Sequence, residues 1–197
     1  MRLALLIPAA FVVGSIPFAY LAVRLVLHKD LREHGSGNPG ATNAARLWPR
    51  RLQFPAFLVI FCLDAGKGYW AAGTFPALLG ADPSLAPVLA AAAAVLGHTF
   101  TPFLKFKGGK GVATTLGALL ALEPIATGAA LGVFFLLFFW TRIVAAGSLG
   151  MAIALPVAVA VHDTAPRSVL ALTILLAILI VVRHRSNIGH MLRREET

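Results

Sequence analysis

Long apolar segments alternate with short polar ones along the whole chain. The apolar segments cover residues 3–27, 54–79, 85–98, 112–122, 125–140, 143–161 and 168–182. Several of them approach the roughly 20 residues that a helix needs to cross a bilayer, and a soluble domain could not bury so many. The pattern therefore predicts an all-α polytopic integral membrane protein with seven transmembrane helices. The third and fourth segments are short for full crossings, so their ends stay open.

Composition agrees with a lipid environment. Of the 197 residues, 58% are hydrophobic and 13% are charged, whereas soluble domains contain about 45–50% apolar and about 25% charged residues. The single cysteine, Cys62, excludes an intramolecular disulfide and a multi-thiolate metal site. Carboxylates are few and scattered, so we expect no metal site and no cofactor.

Positive charge predicts the orientation in the membrane. If the N-terminus lies outside and the seven segments alternate, 14 of the 17 lysines and arginines fall in inside segments, whereas Asp82, Glu123 and Asp163 fall in outside turns. This is the positive-inside bias of membrane proteins. We therefore expect one helical bundle over residues 1–197, with its N-terminus outside and its C-terminus in the cytoplasm. The net charge of +9 lies in short loops, which favours contact with membrane lipid and not with nucleic acid.

The first polar cluster, residues 34–46, reads HGSGNPGATNAAR. Its glycines permit left-handed or closely approached backbone, its amides and hydroxyls form hydrogen bonds, and its arginine offers a bidentate fork for an oxyanion. The candidate anion-binding residues are Gly35, Ser36, Gly37, Asn38, Thr42, Asn43 and Arg46. The alternative is a flexible hydrophilic connector.

The second polar cluster, residues 97–115, carries three lysines and runs into an apolar segment that begins near Val112. Backbone N–H groups of a glycine loop and of a helix start converge on anions, so this cluster predicts a phosphate site. Its candidate residues are Lys105, Lys107, Gly108, Gly109, Lys110, Gly111 and Thr114. The loop is not a Walker A motif, because Gly111 follows Lys110 where that motif has Ser or Thr. The alternative is a positive-inside anchor of three lysines.

The third polar cluster, RHRSN at residues 183–187, follows the last apolar segment. Arg and His at a helix C-terminus also serve as a topology anchor, so that interpretation stays open. His184 can exchange hydrogen bonds near neutral pH, and Asn187 lies on the same face if the helix continues that far. The predicted topology places loops 28–53, 98–115 and 183–190 together on the cytoplasmic side.

Asp64 and Lys67 form an i,i+3 pair inside the second apolar segment, beside an expected helix break at Gly66 and Gly68. A charge at bilayer depth costs about 2.5–3.5 kcal/mol on insertion scales, so such residues often belong to functional sites. The pair supports either the site or the surrounding structure, and both interpretations stay open.

These clusters resemble the bacterial acyl-phosphate:glycerol-3-phosphate acyltransferase family (PlsY). The matching stretches are GSIPFAYL at 14–21, GSGNPGATN at 35–43, the aspartate and lysine-glycine pair within 64–68, GHTFTPFLKFKGGKGVAT at 97–114 and RHRSNI at 183–188. The resemblance implies a seven-helix enzyme of the bacterial cytoplasmic (inner) membrane whose active site faces the cytoplasm. It also implies transfer of a fatty acyl group from acyl phosphate to the 1-hydroxyl of glycerol 3-phosphate, the first step of phospholipid synthesis, giving lysophosphatidate and phosphate.

The resemblance further implies roles for individual residues. Phosphate would be held by Ser36, Arg46, Lys105 and the loop at 108–111. Glycerol phosphate would be positioned by His184 and Asn187, with Asp64, Lys67, His98, Ser148 and Arg183 in supporting places. The family often has serines after the fifth span, where this chain has two alanines before Ser148. The enzymes that make acyl phosphate or use lysophosphatidate are candidate partners.

Acyl phosphate is already activated, so its transfer requires an aligned hydroxyl, oxyanion stabilisation and neutralisation of the leaving phosphate. None of the three loops carries an evident Ser-His-Asp or Cys-His arrangement. We therefore expect direct transfer without an acyl-enzyme, in which His184 or a substrate phosphate oxygen takes the hydroxyl proton. Two alternatives remain: an anion transporter, which would favour midplane ligands in paired repeats, and a lipid-phosphate phosphatase, which requires a nucleophilic or metal-assisted site.

Overall fold

The structure is a computed structural model that describes residues 2–162 and 165–193. Over those residues the chain is helical and contains no β-strand, which confirms the all-α prediction. The chain divides into two compact units, Met1–Ala118 and Leu119–Thr197.

The first unit contains two described helical segments that are both long and apolar enough to cross a membrane, and it contains the first two polar loops. Its helices are α1 (Arg2–Ser15), α2 (Phe18–Val26), α3 (Ala41–Ala45), α4 (Arg50–Tyr69), α5 (Phe75–Leu78) and α6 (Ala86–Thr99), followed by the start of α7 (Val112–Leu122). The first apolar segment is broken into α1 and α2 just before Phe18 because Pro17 supplies no N–H for the helix ladder. A π-helical turn at Trp70–Thr74 joins α4 to α5.

Small residues let α1 and α6 pack backbone against backbone. A Cβ on Gly14 of α1 would overlap the Ala94 backbone of α6, and a Cβ on Gly97 would overlap the Phe11 carbonyl. Ala90, Ala93 and Ala94 are buried in the core cluster between these helices. The alanine run of α6 is therefore a close-packing face of the kind common in membrane bundles.

The expected helix break at Gly66 and Gly68 is wrong. Helix α4 continues through both glycines to Tyr69. A Cβ on Gly68 would overlap the Thr114 carbonyl of α7, and a Cβ on Gly117 of α7 would overlap the Ala65 carbonyl of α4. Gly68 and Gly117 are needed because α4 and α7 touch through their backbones, whereas a Cβ on Gly66 would meet nothing within 4 Å.

The second unit is built from apolar helices with exposed apolar surfaces. Its elements after the end of α7 are α8 (Pro124–Thr141), α9 (Val144–His162), α10 (Arg167–Arg183) and α11 (Arg185–Leu192). Helices α8 and α9 approach closely at Gly147, where a Cβ would lie 2.8 Å from the Phe134 carbonyl. Leu136 and Trp140 on α8 and Val161 on α9 are largely exposed. Exposed apolar surface of this extent is typical of a lipid-facing bundle.

The number of membrane crossings stays a prediction. By length and composition four helical segments of the described chain can span a bilayer: Arg2–Val26, Ala86–Leu104, Pro124–Thr141 and Val144–His162. A fifth span is added if α10 and α11, which are bent by 57°, are counted as one. Helix α7 coincides with the predicted fourth segment but has 11 residues, which is short for a crossing.

Candidate functional site

Asn43 fastens the first polar loop from within. Its buried side chain accepts a hydrogen bond from the Ser36 N–H at 3.1 Å and donates one to the His34 carbonyl at 3.0 Å. Gly35 is left-handed, with φ +56°, and a Cβ there would overlap Asn43 Oδ1. Asn43 therefore holds the backbone on which Ser36 is presented, and direct contact of Asn43 with phosphate stays a prediction.

The remaining predicted residues of this loop lie around that anchor. Gly37 is also left-handed (φ +67°), and its N–H donates to the His34 carbonyl at 3.0 Å. The Asn38 carbonyl accepts from the Gly40 N–H at 2.9 Å. Thr42 lies in α3, and Arg46 follows α3 with an exposed side chain. The loop thus presents Ser36 and Arg46 toward solvent on a fixed backbone.

The second polar loop begins with two consecutive left-handed residues that are not glycine. Lys105 has φ +53° and Phe106 has φ +62°, a conformation that costs on the order of 1–3 kcal/mol for each residue. Backbone hydrogen bonds hold it, from the Phe106 N–H to the Thr101 carbonyl at 2.9 Å and from the Lys107 N–H to the Leu104 carbonyl at 3.1 Å. Strain of this kind clusters at functional sites, and here it presents two exposed lysines side by side.

The glycines of this loop lie directly against the end of α6. The Gly108 N–H donates to the Thr99 carbonyl and the Gly109 N–H to the His98 carbonyl, each at 3.1 Å. A Cβ on Gly108 would overlap the His98 carbonyl, and a Cβ on Gly109 would overlap His98 Nε2. These two N–H groups therefore hold the loop in place, and their contact with phosphate stays a prediction. Lys110 and the left-handed Gly111 (φ +86°) lead into α7, whose first N–H groups lack intrahelical partners as in any helix.

Three threonine hydroxyls are buried where the glycine loop enters α7. Thr99, Thr114 and Thr115 are each fully buried, and no hydrogen-bond partner of their Oγ1 atoms is found in the described part of the chain. A Cβ on Gly111 would lie 3.2 Å from Thr99 Oγ1. Buried polar atoms without partners are uncommon and often mark ordered water or a ligand. This end of α7 is thus more polar inside than its apolar sequence suggests.

A cavity of about 410 Å³ joins the two loops of the first unit. Its lining residues are Arg32, Gly37, Leu104, Lys105 and Lys107. The fold therefore brings together three predicted residues from separate loops and adds Arg32, which the sequence reasoning missed. The sequence feature that could have pointed to Arg32 is its position two residues after Asp30, just before the first polar cluster. Three cations around one cavity make it suited to a polyanion.

Asp64, Lys67 and His98 form a buried network beneath the second loop. Lys67 Nζ lies 2.7 Å from Asp64 Oδ1, with the two side chains 2% and 3% exposed, and it donates to the Ile16 carbonyl at 2.8 Å. His98 Nδ1 lies 3.5 Å from the same carboxylate oxygen. Because the His98 ring also abuts Gly109, the network connects the break between α1 and α2 to the glycine loop.

The remaining predicted residues lie in the second unit. Ser148 is buried in α9, and its hydroxyl donates to the Val144 carbonyl at 2.9 Å. Arg183 is the last residue of α10, and Asn187 lies in α11. His184 occupies the bend between these helices, buried, with Nδ1 2.8 Å from the Ile180 carbonyl. Helices α10 and α11 are bent by 57° at His184, but the Ile188 N–H donates to the His184 carbonyl at 2.9 Å, so a shared face of His184 and Asn187 stays a prediction.

Replacing Gly108 by alanine tests whether the loop backbone matters for function. The new Cβ has no room against the end of α6, so the loop must shift, and a misplacement of about 1 Å can lower catalytic efficiency by about 10²-fold. We expect the purified Gly108→Ala protein to lose about 10²-fold in kcat/KM for the acyl transfer that the sequence resemblance implies. Gly128→Ala on α8 is the matched control, because nothing lies within 4 Å of its added Cβ. Equal activity of the two variants would show that the loop backbone is not part of the site.

Comparison with known proteins gives one consistent result. The family model described as glycerol-3-phosphate acyltransferase matches residues 4–194. The glycerol-3-phosphate acyltransferase of Bacillus subtilis strain 168 is 40% identical over 100% of this chain and 97% of its own length. That of Synechocystis sp. PCC 6803 is 39% identical over 94% of this chain and 86% of its own.

Two solved structures have the same fold. One is PlsY, an integral membrane glycerol 3-phosphate acyltransferase, in its glycerol 3-phosphate form, with 35% identity, a TM-score of 0.90 and coverage of 100% of this chain and 95% of that chain. The other is the lysophosphatidic acid form of PlsY, with 34% identity, a TM-score of 0.87 and the same coverage.

Proposed function

The chain belongs to the glycerol-3-phosphate acyltransferase family, and from that premise we propose that it moves a fatty acyl group from acyl phosphate to the 1-hydroxyl of glycerol 3-phosphate. The products are lysophosphatidate and inorganic phosphate. The observation that carries this proposal is the cavity lined by Arg32, Lys105 and Lys107. A phosphate monoester carries about −1.5 to −2 charge near neutral pH, so two phosphorylated substrates require such a concentration of cations.

The reaction is a direct displacement at the acyl carbon. The 1-hydroxyl oxygen of glycerol 3-phosphate forms the new ester bond, the bond between the acyl carbon and the phosphate oxygen breaks, and phosphate leaves with the bonding electrons. The hydroxyl proton passes to His184 or to a substrate phosphate oxygen. Because the donor is already activated, correct alignment and neutralisation of charge supply the acceleration.

Each polar cluster has a part in this scheme. Ser36, Arg46 and Lys105 bind phosphate oxygens, the start of α7 with its glycine loop directs N–H groups toward the same charge, and His184 and Asn187 position glycerol phosphate. Support for the first group comes from the fixed backbones on which Ser36 and Lys105 are held. The roles of His184 and Asn187 rest on the family membership.

The membrane setting follows from the donor. A fatty acyl phosphate is amphipathic, so its chain can enter from the cytoplasmic leaflet while its phosphate meets the polar loops. We propose that the protein resides in the bacterial inner membrane with seven spans and its active site facing the cytoplasm, in contact with membrane lipid. The enzymes that supply acyl phosphate or use lysophosphatidate would then meet it at that face.

An assay of donor specificity tests the proposal. The purified protein in detergent is supplied with glycerol 3-phosphate and, in separate reactions, with acyl phosphate or an acyl thioester. We expect lysophosphatidate and phosphate in a 1:1 ratio from acyl phosphate, and little product from the thioester. Efficient transfer from the thioester would contradict the donor assignment, and phosphate release without glycerol 3-phosphate would indicate a phosphatase.

The absence of an acyl-enzyme is tested by rapid kinetics. Direct transfer predicts that phosphate release shows no burst and that no ester accumulates on Ser36 when acyl phosphate is mixed with the protein alone. A burst equal to the enzyme concentration would instead require a covalent intermediate.

A further inference from the structure

Arg32 belongs to none of the three polar clusters, yet it lines the cavity that also contains Lys105 and Lys107, here called the charged cavity. It lines the same space of about 410 Å³ as Lys105 and Lys107, although it lies before the first polar cluster in the chain. Its side chain is 40% exposed. The guanidinium is therefore accessible from the cavity and not buried in the core.

The guanidinium is held in place on two sides. Arg32 Nε donates to Asp30 Oδ1 at 2.9 Å and Nη2 donates to Asp30 Oδ2 at 2.6 Å, and the guanidinium carbon lies 5.3 Å from the centre of the Tyr20 ring. The hydrogen bonds from Arg32 lower the pKa of Asp30 to about 2, so the carboxylate is charged at neutral pH. The ion pair does not involve Nη1. A guanidinium has five N–H donors, so an arginine that binds one carboxylate through two nitrogens can still donate to a second oxyanion.

Local structure does not require an arginine at this position. Asp30 caps the turn at Leu31–Glu33 by accepting the backbone N–H of residue 32, and any residue other than proline supplies that N–H. Exposed ion pairs contribute little to stability. Asp30 offsets the charge of Arg32, but Lys105 and Lys107 beside it repel each other, so the grouping is favourable when a multiply charged anion lies between these cations.

We propose that Arg32 is a third phosphate-binding cation of the cavity, oriented by Asp30 and acting with Lys105 and Lys107 on a phosphate monoester. This inference rests on the proposed function for its substrates. The phosphate group is that of glycerol 3-phosphate or that of acyl phosphate, and kinetics separates the two. Arg32 contributes through binding, so its effect falls mainly on KM.

The test compares Arg32→Gln with Arg51→Gln. Both variants lose one arginine charge from the first unit, but Arg51 is exposed at the start of α4 and outside the cavity lining. We expect Arg32→Gln to raise KM for one phosphorylated substrate by about tenfold or more, which is the value of one charge-assisted hydrogen bond, with a smaller change in kcat. Arg32→Lys should recover part of the loss, because it restores the charge without the fork.

The substrate whose KM rises identifies the bound phosphate. Kinetic constants of Arg32→Gln that equal those of Arg51→Gln for both substrates would overturn the proposal. Protection of the protein from thermal unfolding by inorganic phosphate is measured in parallel, because it does not depend on turnover. We expect wild type to be protected and Arg32→Gln to require about tenfold more phosphate, and equal protection would also overturn it. A wild-type protein that binds phosphate but makes no lysophosphatidate would refute the proposed function instead.

Discussion

Lys105→Ala is expected to lower kcat/KM for acyl transfer by about 10²- to 10³-fold, the loss seen when one preorganised donor is removed from a developing anion. Lys105 lines the charged cavity on a backbone that is held left-handed, with φ +53°. The protein thus tolerates strain at the point where this side chain is presented. The change is measured with acyl phosphate and glycerol 3-phosphate as substrates.

Two further variants separate charge from backbone strain. Lys105→Gly relieves the left-handed conformation but also lacks the ammonium group, so we expect it to be as inactive as Lys105→Ala while unfolding at an equal or higher temperature. Lys29→Ala removes an exposed lysine outside the cavity and should retain activity. Near wild-type turnover of Lys105→Ala would remove this residue from the site.

Lys67→Met is expected to lower the free energy of unfolding by about 3–5 kcal/mol, because breaking a buried ion pair leaves an uncompensated charge. Asp64 would keep His98 Nδ1 at 3.5 Å but lose the ammonium at 2.7 Å. The Ile16 carbonyl at the break between α1 and α2 would lose its donor as well. The effect is measured by denaturant unfolding in detergent.

The double variant Asp64→Asn/Lys67→Met provides the control for that loss. It removes both charges, so it should be less destabilised than the sum of the two single variants, with a coupling of about 0.5–3 kcal/mol. Additive effects would show that the pair does not act as a unit. Loss of activity at unchanged stability would instead place the pair in the chemistry.

The positions of most helices could be predicted from the apolar segments. A helix in lipid must be apolar, so it can be located by its apolar content without an amphipathic pattern. The predicted fourth segment coincides with α7. The predicted fifth and sixth segments, residues 125–140 and 143–161, begin and end within a few residues of α8 and α9. The irregular points could not be placed from sequence. The π-helical turn at Trp70–Thr74 lies inside a continuous apolar run, and the bend of 57° lies at His184 in the third polar cluster, where no proline or glycine marks it.

The structural role of individual glycines could not be predicted from the sequence either. Gly66 and Gly68 looked like a helix break, yet the α4 backbone continues and Gly68 allows contact with the Thr114 carbonyl. Sequence shows that a glycine is present, but the fold decides whether its missing side chain serves a turn or a close contact. In the second loop Gly108 and Gly109 serve such a contact with α6.

The sequence predicted which loops form the candidate site better than it predicted the role of each side chain in them. Polar clusters in an apolar chain located the residues around Ser36 and Lys105, and the fold joins their loops at one cavity. The inward role of Asn43 and the cavity position of Arg32 depend on turns that only the folded backbone defines. The solved PlsY structures share this fold over the whole chain, and the roles of the individual site residues stay predictions.

The proposed site requires that the second and third polar loops lie on the cytoplasmic face of the membrane. Single cysteines replace Phe106 or Arg185, two exposed residues beside those loops, in a protein whose Cys62 is changed to serine. We expect a membrane-impermeant maleimide to label neither cysteine in intact cells and both cysteines in inside-out vesicles. Labelling of either one in intact cells would place the loops on different faces or outside the cell and would contradict a shared cytoplasmic site.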